Sequence, residues 1–457
     1  MQKILLLIAS LFYFNFILAE NEIKSWQGIH ETPLSRLEQQ FAEPPVEFAN
    51  HVIWGWEGKM DKKTICNDLD SIKKKGFRAV IFEAGYKLPF KYLSEEWFKA
   101  IRTGVLEAKK RGMKVWIIDE GKYPSGFAGG KFSQERPDLR MQALVIGDTI
   151  QIKRGEVMTN HKIAPEIISA VAVSTSGAPN RTVAINNGEI SFNAGLDDWK
   201  ILLVKSDFRT AVTRAVNNPN GGKDATNSLC DYLNPVAVQQ FIDWTHEQYK
   251  KYLGKELGTT VLGFRGDEPD YAHLPWTPSI VQTFKDTKGY DPTPYLASFF
   301  TTSPTIQEQR VKADYWDVWS SLFATHFFKL QADWCAANGV AHITHLNKEH
   351  EMPACVKAEG DYFRNLSKVQ IPGVDAIWNQ IWPGTLNDFP KLASSVAHVY
   401  GKPRAFSESF AAYHISPTIP QAKFVVDHQI ARGINFFEFM FWPAGSKHRN
   451  WMSDPGM

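Results

Sequence analysis

The stretch Val261-Leu-Gly-Phe-Arg-Gly-Asp-Glu-Pro-Asp270 decides how the rest of this chain is read. Val261 to Phe264 is an apolar run with one glycine, short enough for a buried strand, and Arg265, Asp267 and Glu268 follow at once. Pro269 has no N–H to give to a ladder, so the strand stops and presents Glu268 at its carboxyl end. Barrel and open α/β enzymes keep their chemistry there. By itself the stretch fits equally well two acids that cap the next segment or pair with Arg265. Recurrence of the pattern along the chain favours the functional reading.

Working outward, His51–Trp56 reads as an apolar strand ending in Glu57. Asp61 then caps a helix with Ile65, Leu69 and Ile72 on one face, and Gly76 stops it. Ala79–Phe82 delivers Glu83, the stripe over Ser94–Arg111 predicts a helix, and Lys114–Ile118 leads to Asp119 and Glu120. Three strand–helix units with acids at the strand ends are the pattern of a βα barrel. The alternation breaks over residues 140–214, where short strands and a tight Asn187-Gly188 turn predict a small inserted β-module. It resumes with a helix opened by Asn234-Pro235 and running to about Leu253. A long helical region covers Gln307–Asn338, and strands follow at 340–344, 373–377, 404–407 and 434–441, with helices over Leu386–Tyr400 and Pro420–Arg432. Eight strands predict a (β/α)8 TIM barrel, with the β-module between the third and fourth; an open sheet is the alternative. The expected organisation is a signal peptide at 1–19, a lead-in at 20–47 with a short helix around Pro33–Phe41, barrel segments at 48–139 and 215–457, and the module at 140–214.

With 457 residues, 44% of them hydrophobic, the chain can bury a large core. Its 51 basic and 49 acidic residues nearly cancel, so nothing points to nucleic acid or an anionic membrane surface. Met1 to Glu20 has a lysine, an apolar stretch and Ala19 before polar residues, which predicts a secreted or periplasmic protein; a retained anchor is the alternative. No later run approaches the ~18 apolar residues that span a bilayer. Cys66, Cys230, Cys335 and Cys355 are too scattered for a disulfide scaffold or a zinc site, although export permits one or two bridges. Oligomeric state leaves no trace in the sequence.

The predicted strand ends collect acids and tryptophans. Only one histidine, His345, is among them, and no serine elbow, phosphate loop or obvious metal cluster occurs, which argues against acyl transfer, a zinc hydrolase or a phosphate-binding barrel isomerase. Paired carboxylates beside aromatic faces are what glycoside hydrolysis needs: one acid protonates the leaving oxygen while a carboxylate attacks or activates water. Glu268 and Glu408, ending strands four and seven across the barrel mouth, are the leading pair. Glu83, Asp119, Glu120, Asp267 and His345 are expected to contact the sugar, with Trp54, Trp56, Trp378 and Trp442 as apolar platforms. The bland alternatives are a Glu408 bonded to Ser407 or Ser409, a core histidine, and core tryptophans.

The segments Trp54-Gly-Trp56, Asp119-Glu-Gly-Lys-Tyr-Pro-Ser-Gly-Phe-Ala-Gly-Gly130, Asp231-Tyr-Leu-Asn-Pro235, Phe264-Arg-Gly-Asp-Glu-Pro269, Gly289-Tyr-Asp291, Pro294-Tyr-Leu296, Ile371-Pro-Gly-Val-Asp375, Ala393–Gly401 and Ser407-Glu-Ser-Phe410 occur in this order. Together they resemble the rhamnosidase-type glycoside hydrolases of family 106 and their bacterial relatives. The resemblance runs from about residue 45 to about 445. It implies a secreted α-L-rhamnosidase-like TIM barrel acting on an oligo- or polysaccharide, with Glu268 as acid and Glu408 as base, inverting the sugar. Tyr123 and Asp375, inside the shared motifs, join the sugar contacts. No cofactor is required by the residues themselves, while the resemblance implies room for a calcium ion at the sugar. Two departures stand out: relatives continue into β-sandwich modules, and the fifth strand reads His342-Ile-Thr-His-Leu-Asn-Lys-Glu349 where a glycine and an acid are expected. They motivate two alternatives, a sugar-binding barrel without turnover and a retaining glycosidase of other specificity.

Overall fold

The computed structural model describes residues 33–446, apart from 86–87, 122, 211–212, 215–222, 225–227, 272–273, 386 and 414–416. The expected signal peptide lies outside the described residues. Among those described, no helix is long and apolar enough to cross a membrane.

Eight parallel strands close into a barrel: β1 (His51–Trp56), β2 (Ala79–Ala84), β3 (Lys114–Ile118), β4 (Val261–Gly266), β5 (Ala341–Thr344), β6 (Ile371–Ala376), β7 (Phe406–Ser409) and β8 (Phe436–Pro443). All eight lie where the apolar runs predicted them, and closure excludes the open sheet. Because successive side chains alternate, each strand feeds two cores. Inward, Ile53, Ile81, Trp116, Ile343, Phe406 and Phe436 fill the barrel. Outward, Val52, Trp54, Trp56 and Phe82 pack against the helices over Lys62–Lys74 and Glu95–Lys110. The glycine inside the decisive stretch has a steric reason: a Cβ on Gly263 would stand 2.0 Å from the Ala341 carbonyl and 2.5 Å from the Trp116 ring.

The ring order is β1, β8, β7, β6, β5, β4, β3, β2. Strand β4 therefore faces β8, and β7 is three steps away rather than opposite. Local signals fixed the helix starts: the Asp61 and Ser94 side chains accept from the backbone N–H of Thr64 and Trp97. Asn234 likewise caps Pro235–Trp244, but this helix does not run unbroken to Leu253. Thr245 leaves helical geometry, with its hydroxyl donating to the Phe241 carbonyl, and a second helix starts at His246. The long helical region is Ile306–Leu322 and Lys329–Ala337, joined by a π-helical turn over Phe323–Phe328.

The inserted region folds into a five-stranded antiparallel sheet and a three-stranded one. Gln142–Ile152 is its longest strand and escapes the alternation rule because Gly147 is an extra residue: Leu203 pairs with Asp148, and Val204 already with Ile146. One edge strand of the larger sheet, Pro275–Trp276, comes from the chain beyond β4, which stitches the insertion to the second barrel segment. The Asn187-Gly188 turn joins Ile185–Asn186 to Glu189–Asn193 with both turn residues at positive φ. All four cysteines are free, so the bridges that export would permit are not formed.

Candidate active site

The mouth at the carboxyl ends of the strands holds a cavity of about 270 Å³. Its wall includes Glu83, Asp267, Glu268, Glu349, Asp375 and Glu408. So many carboxyl groups in one buried space cannot all ionise unless cations or hydrogen bonds compensate them.

Arg265 is the main compensation. It is wholly enclosed at the end of β4, and its guanidinium reaches Asp267 Oδ1 at 2.7 Å, Glu438 Oε2 at 3.2 Å and, closest of all, the Glu408 carboxylate. Glu438 stands on β8, the strand facing β4, so the fork spans the barrel. His345 joins the cluster. Its Nδ1 lies 2.8 Å from the Leu346 carbonyl and donates to it, while Nε2 faces Arg265 Nη2 at 2.8 Å, Glu408 Oε2 at 3.3 Å and Asp267 Oδ1 at 3.5 Å. Burial and Arg265 push the imidazole down, but Glu408 and Glu349 outweigh both and lift it to about 9. Two cations thus converge on Glu408.

The acids divide accordingly. Burial alone would raise Glu408, yet Arg265 and His345 reverse this and hold it at about 2. Glu268, one residue beyond Asp267, has φ +40, sits beside Asp375 and His345, and is not among the acids that pair with Arg265. Burial, reinforced by Asp267, raises it to about 7. Asp375 is driven well up by burial and by Glu408 and Glu268, and burial carries Glu349 to about 8 and Glu438 to about 7. Pairs of carboxyls whose surroundings push them apart are how one site keeps an acid and a base together at neutral pH.

Backbone strain gathers at the same mouth. Lys348, Trp378, Asn379, Phe410 and Ala412, all in loops after β5, β6 and β7, share the left-handed φ of Glu268. Such conformations persist where the surroundings over-determine them, which is typical of sites.

The structure sorts the residues expected from sequence. Glu83, Tyr123, Asp267, Glu268, Asp375, Trp378 and Glu408 line the cavity, and His345 lies directly beneath them. Trp378 is 55% exposed at the rim, as an accessible ring must be. Five expectations are corrected. Trp54 and Trp56 are 0% exposed, because even-numbered positions of β1 face the helices; Trp54 Nε1 donates to Asp68. Trp442 packs against the same outer core. Glu120 accepts from the backbone N–H groups of Gly121, Ala128 and Gly129, so it closes its own loop. Asp119 is buried below the cavity and accepts from the Ser125 hydroxyl, which in turn accepts from the Asp267 N–H. It supports Asp267 from below.

Three participants were missed. Arg265 was read only as a local ion-pair partner. Glu438 sits inside the apolar run Phe436-Phe-Glu-Phe-Met-Phe441, and a charge in such a run was the available signal. Glu349 supplies the acid that the fifth strand seemed to lack, placed four residues beyond His345. The expectation of no metal cluster also changes. The triads Asp267–His345–Glu408 and Glu268–His345–Asp375 each bring ligand atoms within 4.8 Å of one another and could hold a metal ion. Their members come from different strands, which hid them from sequence spacing.

A closed parallel barrel with this acid-rich mouth has a glycoside-hydrolase-like fold. Residues 158–443 match the glycoside hydrolase family 106 model, described as alpha-L-rhamnosidase, and the chain belongs to that family of glycosidases. It is 24% identical over 480 residues to a Formosa agariphila protein provisionally named a beta-glucuronidase, an alignment covering 93% of this chain and 39% of that protein. It superposes on the rhamnosidase from Novosphingobium sp. PP1Y with a TM-score of 0.66 at 15% identity, covering 91% of this chain and 56% of that one. The chain spans well under two thirds of either relative's length.

Proposed function

We propose that this protein hydrolyses a terminal glycosidic bond of a plant or microbial oligo- or polysaccharide, in the manner of an α-L-rhamnosidase, with Glu268 as general acid and Glu408 as general base. The observation that carries this reading is the opposite bias of the two groups on one cavity: Glu408 held ionised at about 2 and Glu268 held protonated up to about 7. The cavity is at the small end of the roughly 300–1,000 Å³ usual for small-molecule sites, which suits one sugar ring and hence an exo action.

Glu268 gives its proton to the glycosidic oxygen as the bond from that oxygen to the anomeric carbon breaks. Glu408 takes a proton from water as the water oxygen bonds to the opposite face of that carbon, which inverts the anomer. Arg265 and His345 keep Glu408 charged for this task, and Trp378 offers an apolar face to the sugar. A retaining course would instead have Glu408 attack carbon directly; the first-formed anomer, followed by NMR, separates the two. Calcium, implied by the family resemblance, takes six to eight oxygen ligands. Each triad, Asp267 and Glu408 with His345 or Glu268 and Asp375 with His345, offers two carboxyl groups and a nitrogen that could hold a metal ion; calcium there would add positive charge beside the sugar, and no step above is routed through it.

Glu268→Gln and Glu408→Gln should each lower kcat by about 10²–10⁴ on an aryl α-L-rhamnoside while circular dichroism stays unchanged. In the parent enzyme activity should fall above about pH 7, as Glu268 loses its proton. Unchanged rates in both variants would overturn the assignment. Saccharide binding without turnover over a broad glycoside panel would favour a binding protein.

A further inference from the structure

The cavity has an acidic floor, yet one side of its lip carries an exposed cation. Lys348 lines the wall, is exposed, and among the described residues makes no salt bridge. Its position is built rather than incidental. The backbone at Lys348 is left-handed at φ +63, and a turn bond from the Glu351 N–H closes on the Lys348 carbonyl at 2.8 Å. The preceding residues are tied down by buried carboxyl groups: the Leu346 N–H donates to Glu349 at 3.0 Å and the Asn347 N–H to Glu359 at 2.8 Å. His350, also on the wall, accepts at Nδ1 from the Gln380 amide at 3.0 Å, so its Nε2 carries a proton; the exposed Glu351 carboxylate lies 3.8 Å from it, a long contact that an incoming anion would replace.

This lip lies on the side of Glu268, since the Asn347 amide reaches the Glu268 carboxyl at 3.5 Å. A general acid stands beside the leaving oxygen, so Lys348 and His350 face the group that departs rather than the ring that is cut off. We propose that the leaving portion of the substrate carries an anion, a carboxylate or a sulfate ester, which Lys348 pairs and the donor of His350 bonds. On the floor Arg265 is already shared by Asp267, Glu408 and Glu438 and offers such a group no free cation, which sets the orientation: neutral ring inward, acidic residue at the lip. The inference rests on the hydrolytic reading for which side is which, and on the lip alone for the charge.

The experiment compares 4-(carboxymethyl)phenyl α-L-rhamnoside with its neutral primary amide, whose methylene insulates the ring so that the two phenols leave with similar ease. The wild-type chain should favour the acid about fivefold in kcat/KM, mainly through KM, and the preference should shrink in 0.5 M salt, about 4 Å of Debye length. In Lys348→Gln the ratio should fall to about one. A wild-type ratio near one, or a preference that survives in the variant, overturns the proposal. Binding gives a readout free of turnover: calorimetry with polygalacturonate and with its fully methyl-esterified form. Stronger binding of the acidic polymer, lost in Lys348→Gln, supports the charged lip even if neither glycoside is cut, an outcome that would count against the hydrolytic reading alone. Equal binding of both polymers sinks the lip.

Discussion

Replacing Arg265 by methionine keeps most of the side-chain length and removes the charge on which three carboxylates converge. Glu408 is held at about 2, roughly two units below an ordinary glutamate near ~4.3, and at ~1.4 kcal/mol per unit this is ~3 kcal/mol of stabilisation of the ionised form. Burial opposes it, so without the guanidinium the group should rise past its ordinary value, with His345 limiting the rise. Breaking a buried ion pair costs ~3–5 kcal/mol when the stranded charge cannot neutralise. Carboxyls can neutralise by taking protons, so part of the penalty should surface as a shifted titration. In the parent, kcat/KM should stay level down to about pH 3, because Glu408 remains ionised. In Arg265→Met its acid limb should move to about pH 5, and the urea midpoint should drop more at pH 7 than at pH 5, where the stranded acids are protonated. Arg265→Lys, which retains a point charge without the fork, should fall between the two. The assays are the pH profile on an aryl glycoside and urea unfolding at both pH values. An acid limb and a midpoint that both stay put would show that Arg265 does not hold Glu408, and the electrostatic account of the site would fail.

Two further outcomes follow from the same charges. Glu268, Glu438 and Glu349 are raised to about 7, 7 and 8, so the folded chain holds these protons more tightly than the unfolded one. Their contribution to stability is complete below about pH 4.3 and is lost as pH rises through 7 to 8; Glu408 acts oppositely, its contribution lost as pH falls through about 2. The thermal midpoint should therefore be higher at pH 5 than at pH 8.5, and calorimetry finding the reverse would count against these titrations. Trp378→Ala should raise KM up to about tenfold with kcat little changed, the loss of one aromatic face; an unaltered KM would make the exposed ring a bystander.

Much of the architecture was already written in the local chain. Strand runs of four to eight apolar residues, caps such as Asp61, Ser94 and Asn234, and the Asn187-Gly188 turn each act over a few residues, so their message survives without knowledge of the fold. Where a long-range partner intervened, the reading weakened. The Gly147 bulge is defined only against Leu203 and Val204, and the Thr245 break interrupts an otherwise helical stripe.

The acids at the strand ends were legible for the same reason: Pro269 and the end of an apolar run locate Glu268, and Ser407-Glu-Ser409 locates Glu408. What the sequence could not decide is which way each side chain points and what charge it keeps. Trp54 and Trp378 are the same residue type at two strand ends, yet strand alternation buries one against the helices and a left-handed loop residue exposes the other. Glu268 and Glu408 are the same acid, yet they titrate far apart, because only Glu408 pairs with Arg265 and bonds His345 directly. Distance and desolvation set those differences, and both are created when the barrel closes and brings residues 265, 345, 408 and 438 to one point.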